Sequence, residues 1–272
     1  RMSSKNAFSP FLFTSEDLER LRKGDVRALR LADEFNKVDT VLRAHKIMST
    51  IVVFGSSRVP SPEETRILAS SSHETFAMRE GGAQASHVRW YQTARDLCRI
   101  ISERGGALAS RGSPLYNVIA TGGGPGIMEA ANRGAFEAGA PSIGFNIILQ
   151  NEQPANKFAS PELTFWFHYF ALRKMHFAMR ANALVVFPGG FGTLDELFEI
   201  ITLKQVRRIS QLPVILFDRL YWKTIINFDA LHEFLMIDPH EVLLFEFADT
   251  IEEAWSILVR YGLDVHPPLS ES

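Results

Sequence analysis

The sequence has little of several features that would place a protein in a specialised class. It contains one cysteine, Cys98, so no internal disulfide can form, and no CxxC pair or closely spaced histidines offer zinc ligands. No run of about 18 apolar residues is present, and the N-terminus lacks the basic and then apolar segments of a secretion signal. We therefore expect a cytoplasmic protein that holds no metal.

The chain also has no excess of charge of one sign. Its 272 residues include 29 Lys and Arg against 31 Asp and Glu, which gives a net charge of −2. Non-specific binding to nucleic acid and anchoring to an anionic membrane both need a basic surface, so we expect neither partner. With 46% apolar residues, a chain of this length can bury a complete core without disulfides or metals.

Two segments of the chain, residues 14–45 and 59–87, differ in character from the rest of the chain. Between residues 14 and 45 apolar residues recur at three- and four-residue steps, which predicts an amphipathic helix with Ser15 as a candidate cap. Residues 59–87 are rich in Ser, Glu, Pro and Gly, and we interpret them as a surface excursion with at most a partial helix. The predicted divisions are a helical N-terminal extension (1–49), a main domain (50–262) and a disordered tail (263–272).

Short apolar segments alternate with amphipathic segments through the main domain. Continuous apolar strands are typical of a parallel sheet that is covered on both faces. The alternation predicts one doubly wound, Rossmann-like α/β domain with helices on both faces of the sheet. The predicted strands are 51–54, 118–120, 142–146, 184–187, 213–217 and 243–247; the predicted helices are 88–104, 125–139, 168–181, 193–208, 219–236 and 250–261, with a loop over 150–161.

Two glycine-rich turns, Gly122–Gly126 and Gly189–Thr193, each connect a predicted strand to a predicted helix. Ligands of an open parallel sheet bind beyond the carboxyl ends of its strands, and glycine amides at a helix start suit an anion such as phosphate. The geometry of a tight turn explains one such segment equally well, but two on one sheet favour a phosphate site. Neither is a Walker A loop, and neither has the GxGxxG spacing of a dinucleotide site.

The acidic residues that follow these turns have two interpretations each. Glu196 lies three residues after Thr193, and this spacing also defines a capping box at the start of a helix. Glu129 lies in the first turn after the other glycine segment, where the helix dipole alone would favour a negative charge. Each is either a site residue or an ordinary feature of a helix start.

The predicted helix 168–181 carries a group of basic side chains. Arg173, His176 and Arg180 fall near one face, so they are either part of a site or a solvated basic face. The histidines are scattered, and no nucleophile–histidine pair is evident. Cys98 lies in a predicted helix, where a buried structural thiol is the expected role.

The nine residues Pro188–Glu196 resemble the PGGxGTxxE signature of the LOG family, the cytokinin riboside 5′-monophosphate phosphoribohydrolases and their bacterial relatives. The segments VFGSS (53–57), GGGPGIMEAAN (122–132) and FHYFALRK (167–174) follow in the family's order and spacing. The resemblance covers about residues 50–262. The long N-terminal arm and the insertion 146–167 are typical of the larger bacterial members.

The family hydrolyses the N-glycosidic bond of nucleoside 5′-monophosphates to give free base and ribose 5-phosphate. The resemblance implies that Glu196 stabilises an oxocarbenium-like transition state or orients water, and that Arg173 positions the nucleotide. It implies no metal or other cofactor, and a homodimer or larger even-numbered oligomer. The residues implied in holding the phosphate and ribose are Gly189, Gly190, Gly192, Thr193, Ser56, Gly123, Gly124 and Glu129.

Several alternatives stay open at the level of sequence. Phe170-Ala171-Leu172 replaces the Met-His-Glu of short plant-type members, so AMP or a broad set of nucleotides fits as well as a cytokinin precursor. A non-catalytic nucleotide or phosphorylated-cofactor binding protein of the same fold is the main alternative function, and a ligand-sensing partner protein is a third. Earlier descriptions of the family as lysine decarboxylases imply pyridoxal chemistry, for which no lysine stands out.

Overall fold

The structure is a computed structural model that describes residues 26–71, 77–108, 112–148, 154–209 and 211–263. The first part of the predicted helix 14–45, its candidate cap Ser15 and the tail beyond residue 263 lie outside the described residues. Within those residues, no helix has both the length and the apolar character needed to cross a membrane.

A seven-stranded parallel sheet in the order β4-β3-β2-β1-β5-β6-β7 forms the centre of the described chain. The chain builds outward from β1 to β4 and then returns to the other side of β1 with β5. This reversal opens a crevice beyond the carboxyl ends of β1 and β5, where ligands bind in folds of this kind. The strands are β1 (Thr50–Phe54), β2 (Val118–Thr121), β3 (Ser142–Ile147), β4 (Thr164–Phe167), β5 (Ala181–Val186), β6 (Val214–Phe217) and β7 (Glu246–Ala248).

Helices cover both faces of the sheet, which confirms the predicted doubly wound fold. Val52 and Phe54 of β1 belong to one buried cluster, whereas Ile51 and Val53 belong to another, because alternate side chains of a strand face opposite sides. The helices are α1 (Val26–Ala44), α2 (Pro62–Ser71), α3 (Ala77–Arg104), α4 (Ile127–Glu137), α5 (Phe170–Met179), α6 (Phe191–Gln205), α7 (Arg219–Ile225), α8 (Phe228–Glu233) and α9 (Ile251–Arg260).

The first cluster contains side chains of α1, α5, α6, α7 and α8, and the second contains side chains of α3, α4 and α9. Helix α1 therefore packs on the same side of the sheet as α5. Val38 and Leu42 are buried there, and Asp39 forms an ion pair with Arg180. The described part of the N-terminal extension is thus attached to the main domain by apolar packing and by this charged contact.

Three elements differ from the sequence predictions. The interpretation of residues 59–87 as an excursion with at most a partial helix is wrong, since α2 and the first part of α3 lie there. Strand β4 was not predicted at all, and the predicted helix 219–236 is two helices, the second capped by Asn227, whose side chain accepts a hydrogen bond from the Ala230 amide. Tertiary packing decides such weakly patterned segments because local propensity is worth only tenths of a kcal/mol per residue.

Candidate functional site

The two glycine turns meet at the reversal of the strand order. Between them lies the segment that follows β1. The Ser56 amide donates to the Pro188 carbonyl at 3.0 Å, and the Ser56 carbonyl accepts from the Ile127 amide at 3.1 Å. Gly126 has φ +74°, and a Cβ there would overlap the Ser56 backbone, so glycine is required for this approach. Three loops that are distant in sequence therefore form one surface.

The capping box considered for Thr193 and Glu196 does not form. Helix α6 begins two residues earlier than predicted, with Gly190 as its N-cap, so Thr193 is the third helical residue. The Thr193 side chain instead packs against Gly189, where a Cβ would overlap its Oγ1. The amides of the first turn have no partner inside the helix, and no side chain caps them. They are available to an anion.

The other glycine turn is held by buried amide side chains. Asn132 Oδ1 accepts hydrogen bonds from Thr121 Oγ1 at 2.7 Å and from Asn156 Nδ2 at 3.0 Å. Asn156 also donates from its backbone amide to the Gly123 carbonyl and from its side chain to the Gly124 carbonyl. These contacts hold the backbone of the Gly122–Gly126 turn in place, because a buried network whose members are all hydrogen-bonded is rigid.

Glu196 and Arg173 lie in contact at the centre of the site. Arg173 Nη2 donates to Glu196 Oε1 at 2.5 Å, and the side chains of Arg173 and Glu196 are only 11% and 13% exposed, respectively. Burial raises the pKa of Glu196 to about 7, although the charge and hydrogen bond of Arg173 oppose this shift. The guanidinium also lies near the rings of Phe170 and Phe177, at 5.9 and 5.5 Å from the ring centres.

A cavity of about 790 Å³ extends from this pair along the carboxyl edge of the sheet. At one end are Gly192 and Glu196 of α6. Toward the other end is Trp166 of β4, which is 45% exposed. Phe170, which is 54% exposed, lies nearer the pair, with its ring centre 5.9 Å from the Arg173 guanidinium. The described lining residues are Ser57, Gly122, Gly124, Met128, Asn146, Ile147, Ile148, Pro154, Trp166, Phe170, Arg173, Gly192, Asp195 and Glu196. The cavity is therefore polar beside α6 and largely apolar beside β3 and β4.

The sequence-predicted site residues fall into three groups. Glu196, Arg173, Gly192 and Gly124 line the cavity itself. Others form the loops that surround it, namely Ser56, Gly123, Gly189, Gly190 and Thr193. Glu129 is not among the described lining residues; its Oε1 accepts a hydrogen bond of 2.8 Å from Tyr91 Oη, between α4 and α3.

Sequence reasoning missed the apolar end of the cavity. Asn146 and Trp166 are register partners on β3 and β4, so they stand side by side at the edge of the sheet. Asn146 packs against Gly123, where a Cβ would overlap its amide. No role in the site was predicted for Trp166 because β4 was not recognised. The alternation of buried Phe165 and Phe167 with exposed Trp166 was the available signal.

The basic residues of α5 do not form a solvated face. His176 is buried and stacks on Phe35 of α1 at 5.0 Å between ring centres. Burial is the largest cause that lowers the pKa of His176 to about 4, followed by the charge of Arg180. Arg180 pairs with Asp39, as described above. These two residues attach α1, whereas Arg173 alone belongs to the cavity.

A metal ion and a pyridoxal cofactor would each need particular side chains. Asp238, His240 and Glu241 could together offer metal ligands, but Asp238 and His240 are exposed, and Glu241 accepts hydrogen bonds from Gln205 and the Asp238 amide. A pyridoxal cofactor needs a lysine for its Schiff base. No described lining residue of the large cavity is a lysine, so these residues do not fit that cofactor.

Comparisons with known proteins match part of the chain to one family model. Residues 128–258 match the model of a family described as "Possible lysine decarboxylase". No curated protein matches the chain. Among solved structures, a molybdenum cofactor binding protein from Rippkaea orientalis is 18% identical over 78% of this chain and 96% of its own, with a TM-score of 0.49. The structural-genomics target TM1055 is 21% identical over 78% of this chain and 99% of its own, with a TM-score of 0.46.

Proposed function

The chain belongs to the LOG family, earlier described as possible lysine decarboxylases, and from that premise we propose that it hydrolyses nucleoside 5′-monophosphates to free base and ribose 5-phosphate. The observation that carries the proposal is the largely buried pair of Glu196 and Arg173 beside two glycine turns at the reversal of the strand order. Buried charged pairs with a shifted pKa are concentrated at functional sites.

The phosphate belongs, in this proposal, at the start of α6. Amides of the first turn, together with the positive end of the helix dipole, attract an anion. A Cβ added to Gly190 or Gly192 would meet no atom within 4 Å, so ligand atoms can approach the backbone closely there. Ser56, Gly123 and Gly124 border the same crevice. Glu129 accepts a hydrogen bond from Tyr91 and is not among the described residues that line the cavity, so it would act only from outside the cavity.

The ribose would then lie beside Glu196, with the base toward Trp166 and Phe170. Adjacent strands are about 4.8 Å apart, so β5 and β3 are separated by about 14 Å, which accommodates a nucleoside monophosphate laid along the edge. The apolar end of the cavity suits stacking on a base. AMP is the first substrate to test. Cytokinin riboside monophosphates have the same ribose 5-phosphate and the same type of N-glycosidic bond.

Glu196 is the proposed centre of the reaction. Water attacks C1′, the C1′–N bond breaks with its electron pair passing to the base, and the water loses the proton that the base gains. A carboxyl group with a pKa of about 7 can accept that proton and return it. In its charged form it stabilises positive charge that develops on the sugar. Arg173 orients Glu196 and the nucleotide, since a guanidinium does not give up its proton.

The test is incubation with a panel of 5′-monophosphates and their nucleosides, followed by measurement of free base and ribose 5-phosphate. We expect release from the monophosphates only, because phosphate contacts provide the binding energy that orients the ribose. Equal turnover of adenosine and AMP would refute the role of the phosphate. Tight binding of nucleotides without release of base would favour a non-catalytic binding protein instead.

We also propose that the chain forms a homodimer or a larger even-numbered oligomer. Met175, Met179 and Phe198 are large apolar side chains exposed on α5 and α6, and such surfaces are usually covered in symmetric assemblies. Light scattering at micromolar concentration measures the mass directly. A monomer would contradict the proposal.

A further inference from the structure

Tyr221, the third residue of α7, lies beside the glycine turn that follows β5. Its hydroxyl donates a hydrogen bond of 2.7 Å to the Gly189 carbonyl. We propose that Tyr221 is a positioning residue for phosphate binding, which holds the Gly189–Gly190 peptide so that the Gly190 amide faces the anion. The inference rests on the proposed function, since it assumes that the substrate's phosphate binds at this turn.

The geometry of the peptide unit supplies the reason. A trans peptide is planar, and its carbonyl and amide point in opposite directions. The bond from Tyr221 therefore directs the Gly190 amide away from α7. Gly190 is the N-cap of α6, so this amide adjoins the unpaired amides of the first helical turn. Fixing one carbonyl thus adds one more oriented donor to the phosphate site.

The neighbouring peptide is fixed in the same way by another element. The Pro188 carbonyl accepts the hydrogen bond from the Ser56 amide at 3.0 Å. Two successive carbonyls are consequently held by β1's loop and by α7. Two consecutive glycines have no side chains to restrict their backbone, so the orientation of the Gly189–Gly190 peptide depends on such outside contacts. The Tyr221 hydroxyl is the contact made to that peptide's carbonyl.

Tyr221 is itself held firmly. Asp218 Oδ1 accepts from the Tyr221 amide at 3.1 Å, and Asp218 Oδ2 accepts from Trp90 Nε1 at 2.8 Å. The phenol ring packs edge-on against Trp90 and Trp222, with centres 5.7 and 5.3 Å away. Burial raises the pKa of Tyr221, so the hydroxyl stays protonated and remains a donor. A side chain placed this rigidly can fix a flexible turn.

The experiment compares wild type with Tyr221→Phe, which keeps the ring and removes only the donor. Calorimetry measures the affinities for inorganic phosphate and ribose 5-phosphate, and competition measures the affinity for adenine. Loss of one hydrogen bond is expected to weaken both phosphate ligands about fivefold and leave adenine unchanged, with a parallel rise in KM for AMP. Tyr261→Phe, at the exposed end of α9, is the matched control.

A rescue variant separates the hydroxyl's role from general damage. With 4-aminophenylalanine in place of Tyr221, the amine can still donate to Gly189, and phosphate affinity should return toward the wild-type value. Unchanged phosphate affinity in Tyr221→Phe would overturn the proposal. So would an equal loss of phosphate and adenine binding together with a lower melting temperature, which is the signature of a merely structural residue.

The same measurements distinguish this proposal from the function on which it rests. A wild-type protein that releases base, but whose phosphate affinity is insensitive to Tyr221→Phe, retains its function and loses the positioning role. A wild-type protein that binds neither inorganic phosphate nor ribose 5-phosphate refutes the phosphate site itself, and the positioning role with it.

Discussion

Arg173 Nη2 lies 2.5 Å from Glu196 Oε1, although the residues are 23 positions apart and belong to different helices. Helix α5 precedes β5 and helix α6 follows it, so the strand brings the two side chains to one edge of the sheet. The pair is largely shielded from solvent, and burial still raises the pKa of the carboxyl group. The contact with Arg173 holds the carboxyl group in one orientation, while burial keeps its pKa close to neutral pH.

Replacing Glu196 with glutamine tests its catalytic role. Glutamine keeps an acceptor for Arg173 but cannot carry negative charge or take up a proton. We expect kcat to fall by a factor on the order of a hundred or more, with nucleotide binding largely kept. Single-turnover release of base measures the chemical step. The control is Glu162→Gln, in an exposed turn before β4; a wild-type rate in Glu196→Gln would exclude the carboxylate from catalysis.

The pH dependence of activity should report the same group. Because the pKa of Glu196 is raised to about 7, its ionised form is lost as the pH falls through that value. We expect kcat/KM for AMP to decline below about pH 7, since it follows the ionisation of the free enzyme. Glu196→Gln should lack this limb. A wild-type profile that stays flat from about pH 5.5 to about pH 8 would contradict the assignment.

Replacing Trp166 with alanine tests the base end of the cavity. Stacking of a base on an aromatic ring is worth about 1–3 kcal/mol, so KM for AMP should rise at least about fivefold. The affinity for ribose 5-phosphate, which has no base, should not change. Phe234→Ala removes an exposed aromatic that is not among the described lining residues and serves as the control. Equal weakening of both ligands would mean that Trp166 does not contact the base.

The buried imidazole of His176 should make the stability of the folded protein depend on pH. Its pKa is lowered to about 4 in the folded protein, whereas an unfolded chain binds the proton near pH 6.5. The native state therefore loses stability as the pH falls through about 6.5 toward 4, because the unfolded state takes up more protons. His176→Phe should remove this loss while keeping the stack on Phe35.

Thermal melts of wild type and His176→Phe at about pH 7, 6 and 5 check the point. As the pH falls, the melting temperature of the variant should rise relative to that of wild type. The difference should be a few degrees for each kcal/mol of unfolding free energy that wild type loses. The charged groups around the imidazole, Arg180, Asp39 and Glu34, are common to both proteins. A constant difference across the three pH values would show that His176 is not buried in its neutral form.

The sequence by itself determined the fold class and most of the elements that carry the site. Apolar strands such as β1 and β5 are recognisable without tertiary contacts, since burial on both faces leaves a continuous apolar run. The glycine turns are recognisable because only glycine permits the close approach seen at Gly126. The resemblance to the family then implied roles for Glu196, in the signature, and for Arg173, in the segment 167–174, and the structure brings these two residues into contact.

Only the tertiary structure decided what those side chains do. Thr193 and Glu196 have capping-box spacing, yet packing against Gly189 and pairing with Arg173 direct both side chains elsewhere. Trp166 and Tyr221 reach the site through β4 and α7, at distances in the sequence that no local pattern encodes. A hydrogen bond or an aromatic face depends on which elements the sheet places side by side, and strand order is a property of the whole fold.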